Sequence, residues 1–399
     1  FYREVALDGK EVTTDTKSDR YPVTNNHLAR IGLDYQLTPK TVIGGLVSGY
    51  DTKWEMDALN HSSLSYDGHV DTLITIQNTE LNQWKHFGSN FNVQHTFSEG
   101  KKLTFDLDYL HYEDNNPVDY VNTYFDGAGQ FLSEDSTRSR KLTPISIRTG
   151  KIDYTTPISN KVKMETGLKA AVSHFTNDVG VDYNKGQGWY NAPELTARYD
   201  LDEDIFAAYL SVSAELSDQF SAKFGLRYEY TNSNLGSEEE QDIVDRQFGE
   251  LFPTVYLSKK INESNSVSMS YGKRITRPTF KDMAPFTIFV DPNTLFSGNP
   301  GLQPAISHNL ELAYQYKSAL VSVQYSLEDS AIANFQGTVI EGTNTQLITS
   351  ENLKKLTTVA VNFSFPITPV KWWNMQFNVN AYWQEAQKYA EGQLGIYDA

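Results

Sequence analysis

Apolar and polar residues alternate one by one along much of this chain. From position 161 the sequence reads KVKMETGLKAAV, with Val162, Met164, Leu168, Ala170 and Val172 in one phase and Lys161, Lys163, Glu165 and Lys169 in the other. Residues 220–230 repeat the pattern, Phe220, Ala222, Phe224, Leu226, Tyr228 and Tyr230 alternating with Ser221, Lys223, Gly225, Arg227 and Glu229. In 374–383, Met375, Phe377, Val379, Ala381 and Trp383 alternate with Asn374, Gln376, Asn378, Asn380 and Tyr382. Asp106 and Asp108 alternate in the same way with Phe105, Leu107 and Tyr109. Successive side chains of a strand point to opposite faces, so each segment is a strand with one apolar and one strongly polar face. Helical spacing fits none of them.

Short polar connections fall at Thr38–Lys40, Ser98–Gly100, Ser159–Asn160, Ser217–Asp218, Asn262–Ser264, Lys317–Ser318 and Pro366–Lys371. Between them lie long polar stretches, near 51–68, 112–140, 177–203, 231–248, 276–307 and 330–349 and after 384, which read as loops. One hairpin per short turn gives about 14 strands of ten or more residues. Tight turns at one end and long loops at the other describe an all-β, transmembrane antiparallel β-barrel, its turns periplasmic and its loops extracellular. A soluble all-β protein would also alternate, its apolar face being the core. Strands this long, against a usual five or six residues, and the uneven connections disfavour that reading. So do aromatics near strand ends, Trp372 with Trp373 and Tyr314 with Tyr316, which suit an interfacial girdle.

Composition narrows the choice. The 399 residues carry 34 Lys and Arg against 50 Asp and Glu, a net charge of −16, which argues against a nucleic-acid partner because phosphate contacts need clustered cations. Aromatics reach 13%, too many for a disordered acidic chain. There is no cysteine, so thiolate metal sites, disulfides and cysteine nucleophiles are excluded. No apolar run is long enough for a membrane helix, which leaves the barrel as the membrane option.

In such a barrel the polar phase faces away from lipid. Asp106, Asp108, Lys163, Glu165, Lys169, Lys223, Arg227 and Glu229 are therefore the lumen-facing candidates, and a wall this charged favours a wide lumen, water-filled or plugged. Catalytic patterns are missing. The eight histidines include no i, i+4 pair with an intervening Glu, and no G-x-S-x-G elbow occurs. His61 with His69, and the acidic runs at 202–204 and 238–240, read as solvated loop residues without the spaced ligands of a calcium loop. Gly186-Gln187-Gly188 has no strand–helix frame for phosphate. No enzyme, cofactor or metal is expected.

The stretch 271–313 adds a family resemblance. Tyr271, Arg274, Ile275, Arg277, Pro278, Phe280, Asp282, Met283, Pro285 and Phe286 fit Y-x-x-R-I-x-R-P-x-(F/Y)-x-D-(L/M)-x-P-F. Gly298, Asn299, Pro300, Leu302, Pro304, Ser307, Asn309, Glu311 and Leu312 fit G-N-P-x-L-x-P-E-x-S-x-N-x-E-L-G, with Ala305 and Ala313 departing from it. The region resembles the outer-membrane β-barrel domain of TonB-dependent receptors, and within it the motif residues read as architecture. The resemblance implies a multi-pass barrel of about 22 strands in the outer membrane of a Gram-negative bacterium. It also implies energised import of a nutrient such as a siderophore, oligosaccharide or peptide. Partners would be outer-membrane lipid, together with a plug domain and TonB acting through an N-terminal region missing here. Residues 1–399 would then be one partial barrel domain without plug or TonB box, about eight strands short. The alternative is a structural barrel serving as scaffold for a surface lipoprotein or an assembly or secretion complex.

Overall fold

A computed structural model describes residues 2–7, 9–283, 287–291, 294–340, 345–390 and 393–398. The long strands of its wall are β1 (Lys10–Thr38), β2 (Thr41–Tyr66), β3 (His69–Ser98), β4 (Lys101–Asn115), β5 (Phe131–Ser159), β6 (Val162–Asn184) and β7 (Ala197–Ser217). They continue as β8 (Phe220–Ser237), β9 (Val244–Asn262), β10 (Asn265–Thr276), β11 (Ala305–Tyr316), β12 (Ala319–Asp329), β13 (Lys355–Val370) and β14 (Trp373–Ala390). Each pairs antiparallel with the next. Every odd-to-even connection is one of the short turns predicted from the sequence. Among the described residues no helix is long and apolar enough to cross a membrane, and no ladder joins β1 to β14.

Most of the long polar stretches are not loops. Residues 51–66 and 69–84 form a β2–β3 ladder, shifted once by a bulge at Asp71, that closes over Asp67 and Gly68, both at positive φ (49° and 79°). A two-residue Asp-Gly turn matches the twist of the strands it joins. Beyond β4, Val118–Asp126 resumes the same course after Pro117, pairing with upper β3 and upper β5. The stretches at 177–203 and 231–248 largely extend β6 to β9, and Gln393–Asp398 pairs back on upper β14. Polar alternation continues into these extensions because a ladder needs only backbone partners and does not require lipid on one side.

The rim is oblique. Strand β3 has 30 residues, whereas β10, β11 and β12 have 12, 12 and 11, close to the roughly 9–11 that a tilted strand needs to span the hydrocarbon. Over the low side sits a four-stranded sheet of Thr287–Asp291, Thr294–Ser297, Gln346–Asn352 and Ile332–Val339.

The two faces of the wall differ as the alternation predicts. Ile152, Leu168, Ala208, Tyr228 and Leu251 are directly paired across β5 to β9 and so share one face. That face is exposed, Leu168 at 59%, with Val162 and Met164 partly covered. At the turn end Trp372 is 83% exposed and stacks on Trp373.

Candidate functional site

Directly paired residues of neighbouring strands point the same way, so register shows which side chains meet inside. One row runs Asp106, Lys151, Lys169, Ala207, Glu229, Glu250 across β4 to β9. Below it come Asp153, Gly167, Tyr209, Arg227 and Phe252, then Glu165, Ser211, Gly225 and Thr254, then Lys163, Ser213, Lys223 and Tyr256. Asp108 is two positions along β4 from Asp106. The register therefore puts all eight candidates, Asp106, Asp108, Lys163, Glu165, Lys169, Lys223, Arg227 and Glu229, on the face opposite Leu168.

Several of these charges pair along or across strands. Lys163 Nζ lies 2.7 Å from Glu165, and Lys223 reaches the same carboxylate at 3.6 Å. Asn90 donates to Asp108 over 2.7 Å. Lys151 pairs with Asp153 at 2.6 Å, and Lys273 with Glu250 at 2.7 Å. Tyr209 donates its hydroxyl to Asp153 across Gly167, where a Cβ would lie 2.5 Å from that hydroxyl oxygen. Alternation in the sequence could have supplied Lys151 and Asp153, which interleave with Ile152 and Tyr154. The partnership of Tyr209 needed the three-strand register. These groups surround a cavity of about 750 Å³, lined among others by Lys151, Lys169, Tyr209, Lys223, Arg227 and Arg274.

The segment after β10 forms a strap above this cavity. Arg277 extends past β9 to donate to Glu229 and, over 2.7 Å, to Thr231, both on β8. Arg227 donates to Glu229 from the other side, so one carboxylate with 6% of its side chain exposed holds two guanidinium groups. Past Pro278, the Thr279 amide and hydroxyl donate to Asp282 over 2.8 and 2.6 Å and open a single helical turn, Phe280–Met283. The Asn299 amide donates to the Asp282 carbonyl at 2.6 Å, and its side chain donates to the Ser350 carbonyl at 3.0 Å. Gly298 follows the short strand Thr294–Ser297, and Arg246 donates to the Pro300 carbonyl at 3.0 Å.

Leu302, fully buried, joins Phe280 and Met283 in a core with Val179, Val181, Leu201, Leu235 and Val244 from the upper inner faces of β6 to β9. Pro304 and Pro278 border a small gap beside Arg246. Lower down, Tyr271 and His308 share a hydrogen bond of 2.9 Å between β10 and β11, and Arg274 lines the cavity. Pro285 and Phe286 lie outside the described residues. The inner surface thus changes with height, from charged chamber to dry apolar lid.

Beside the strap the wall itself is split. The β9–β10 ladder ends at Thr254–Gly272, next to Pro253, whereas β9 stays paired with β8 up to Val244. Proline has no N–H to carry a ladder onward.

Two solved structures share this arrangement of strands. The copper transporter OprC superposes with a TM-score of 0.53 at 11% identity, covering 94% of this chain and 62% of its own. The ferripyoverdine receptor of the outer membrane of Pseudomonas aeruginosa, solved with ferripyoverdine, gives 0.55 at 11% identity, covering 96% of this chain and 58% of its own. This chain therefore spans less than two thirds of either protein. No curated protein matches it by sequence. The pattern of one family, however, runs through residues 95–396, from the end of β3 to the last short strand. With an apolar outer face, tight turns at one end and a charged interior under a packed lid, the chain belongs to the outer membrane protein beta-barrel family.

Proposed function

We propose that this barrel is the wall of a TonB-dependent receptor that imports a nutrient across the outer membrane. The observation that carries the reading is the chamber, a cavity of about 750 Å³ under a lid held by side chains. A barrel serving only as an anchor gains nothing from burying Glu229 between Arg227 and Arg277, since buried ion pairs add little net stability. The fold shared with a copper transporter and a ferripyoverdine receptor supports the same reading.

The free edges of β1 and β14 support the rest of the proposal. Unpaired backbone is not tolerated against lipid, so further strands complete the wall, bringing it toward about 22. A plug fills the lumen, TonB supplies the work from the periplasmic side, and residues 1–399 are one barrel domain within that assembly. The wall charges Asp106, Asp108, Lys163, Glu165, Lys169, Lys223 and Arg227 hold the plug through contacts that water at the seam weakens, while Glu229 serves from beneath the strap by holding Arg227 and Arg277 in place. The strap built from Tyr271 to Pro304 is structural.

The test is uptake by cells carrying or lacking the full gene, screened over metal chelates, oligosaccharides and peptides, with and without a protonophore. Uptake of one class should require both the gene and the proton-motive force. Equal uptake of every class by both strains would refute the import reading. The scaffold alternative draws on the tall laddered extension of β1 to β6, a firm surface for a lipoprotein. Stoichiometric co-purification of a surface lipoprotein, with no uptake defect in the deletion strain, would favour it.

A further inference from the structure

The outer face of the wall carries one charge out of place. Arg148 on β5 is paired with Tyr109 on β4 and with Val172 on β6, so it shares the lipid-facing side of Leu168. On that face β4 from Leu103 to His111, β5 from Ser146 to Ile158 and β6 from Val162 to His174 hold no other Lys, Arg, Asp or Glu. Arg148 is exposed, and among the described residues it makes no ion pair and no side-chain hydrogen bond. An arginine facing lipid is costly at mid-bilayer and costs little near the interface. From Ser159, at the turn, β5 climbs about 25 Å to Arg148, at roughly 3.3 Å per residue and a tilt near 45°. That is the height of the apolar band of a membrane barrel.

One row higher, Ser146 stands between His111 on β4 and His174 on β6. The Ser146 hydroxyl has no partner among the described residues. His111 has its Nδ1 buried without a partner, which leaves Nε2 as the usable nitrogen of the ring. One row lower, Gly150 and Ala170 lie between Leu107 and Phe206, so the wall steps inward beneath Arg148 as a shallow trough. The carboxylates of this face are engaged or distant. Glu113 pairs with Lys85 at 3.3 Å and Asp202 with His174 at 2.7 Å. Asp204 stands two strands from Arg148, about 10 Å away.

We propose that Arg148, His111 and Ser146 form a site for the phosphorylated headgroup of an outer-leaflet lipid, whose acyl chain lies in the trough below. Arginine grips phosphate with two parallel N–H donors, and the hydroxyl and imidazole add neutral donors beside it. The occupant is a lipid because the cation stands at the upper edge of the apolar band, with Leu107, Leu168 and Phe206 exposed beneath it. A chain of net charge −16 repels anionic lipid as a whole, so retention rests on this local cation.

The experiment is native mass spectrometry of the purified full-length protein in neutral detergent, with dioleoyl phosphatidic acid and dioleoylglycerol as probes. Phosphatidic acid should stay bound at one copy per barrel, and dioleoylglycerol should be lost. Arg148→Gln should weaken phosphatidic acid at least about tenfold, and Arg148→Lys should restore part of it. Arg140→Gln, exposed on the same face of β5 but far above the band, should leave binding unchanged. Melting temperature checks folding. Without lipid Arg148→Gln should melt with the wild type, whereas phosphatidic acid should raise only the wild-type midpoint. Equal retention by wild type and Arg148→Gln, or equal retention of dioleoylglycerol, would overturn the assignment. Displacement of the lipid by inorganic phosphate at matching concentration would overturn it too, since the ligand would then be the free anion.

Discussion

Gly167 leaves the space through which the Tyr209 ring reaches Asp153. Gly167→Ala should push the ring aside and cost about 1–3 kcal/mol, as overpacking does, read as a lower urea midpoint. On the opposite face the cost has another origin. Phe224→Arg places a charge on the apolar band and should cost about 2–4 kcal/mol near mid-bilayer, read as slower folding into lipid vesicles. Outside the bilayer, Asp182 accepts hydrogen bonds from Asn191 and Arg138, which hold its carboxyl below the usual carboxylate range. Its contribution is therefore present at neutral pH and is lost as pH falls through that lowered value. Protease cleavage at 184–191 should rise below about pH 4, and Asp182→Asn should flatten the dependence. That the eight charges share one face of the wall was legible in the sequence because parity is a local property. The grip of Arg277 on Glu229 was not, since 48 positions separate them and only the path of the strap brings them together.

Among elements, the strap and the split beside it act together. The β9–β10 ladder stops at Thr254–Gly272, and above it the strap crosses the inner face of β9. Leu302→Ala should remove packing from the lid and cost about 2–5 kcal/mol locally. The measurement is hydrogen exchange, which should accelerate along 244–253 and 299–304 while β2 and β3 stay protected. Uniform acceleration around the barrel would show that strap and wall unfold as one unit. Strand existence and the seven turns were legible from alternation and turn chemistry. Strand ends were not, because the stretch 51–68 is as polar as a loop although it is laddered throughout. Asp67–Gly68 is the local signal that marks it as a hairpin.

At the scale of the whole molecule, the protein is placed in the outer membrane of a Gram-negative bacterium, and among the described residues its first and last long strands, β1 and β14, share no ladder. Tyr35 and Leu33 on β1 and Val379 on β14 are exposed there. Open strand edges template further pairing, so these 399 residues refolded alone in detergent should associate edge to edge. A monodisperse monomer with slow amide exchange along 21–37 would show instead that the edges close on each other. The oblique rim bears on what the cell shows to its surroundings. Thirty residues in β3 make a strand of about 100 Å. At a tilt near 45° and with about 30 Å spent in hydrocarbon, some 40 Å remains above the lipid on the side of β1 to β6. That height lifts the hairpin tip at Asp67–Gly68 clear of the membrane surface, where antibodies and phage tail fibres first make contact. The strap, by contrast, packs against the inner faces of β6 to β9. A peptide tag inserted after Gly68 should be stained on intact cells, while one inserted between Gly301 and Leu302 should stay dark.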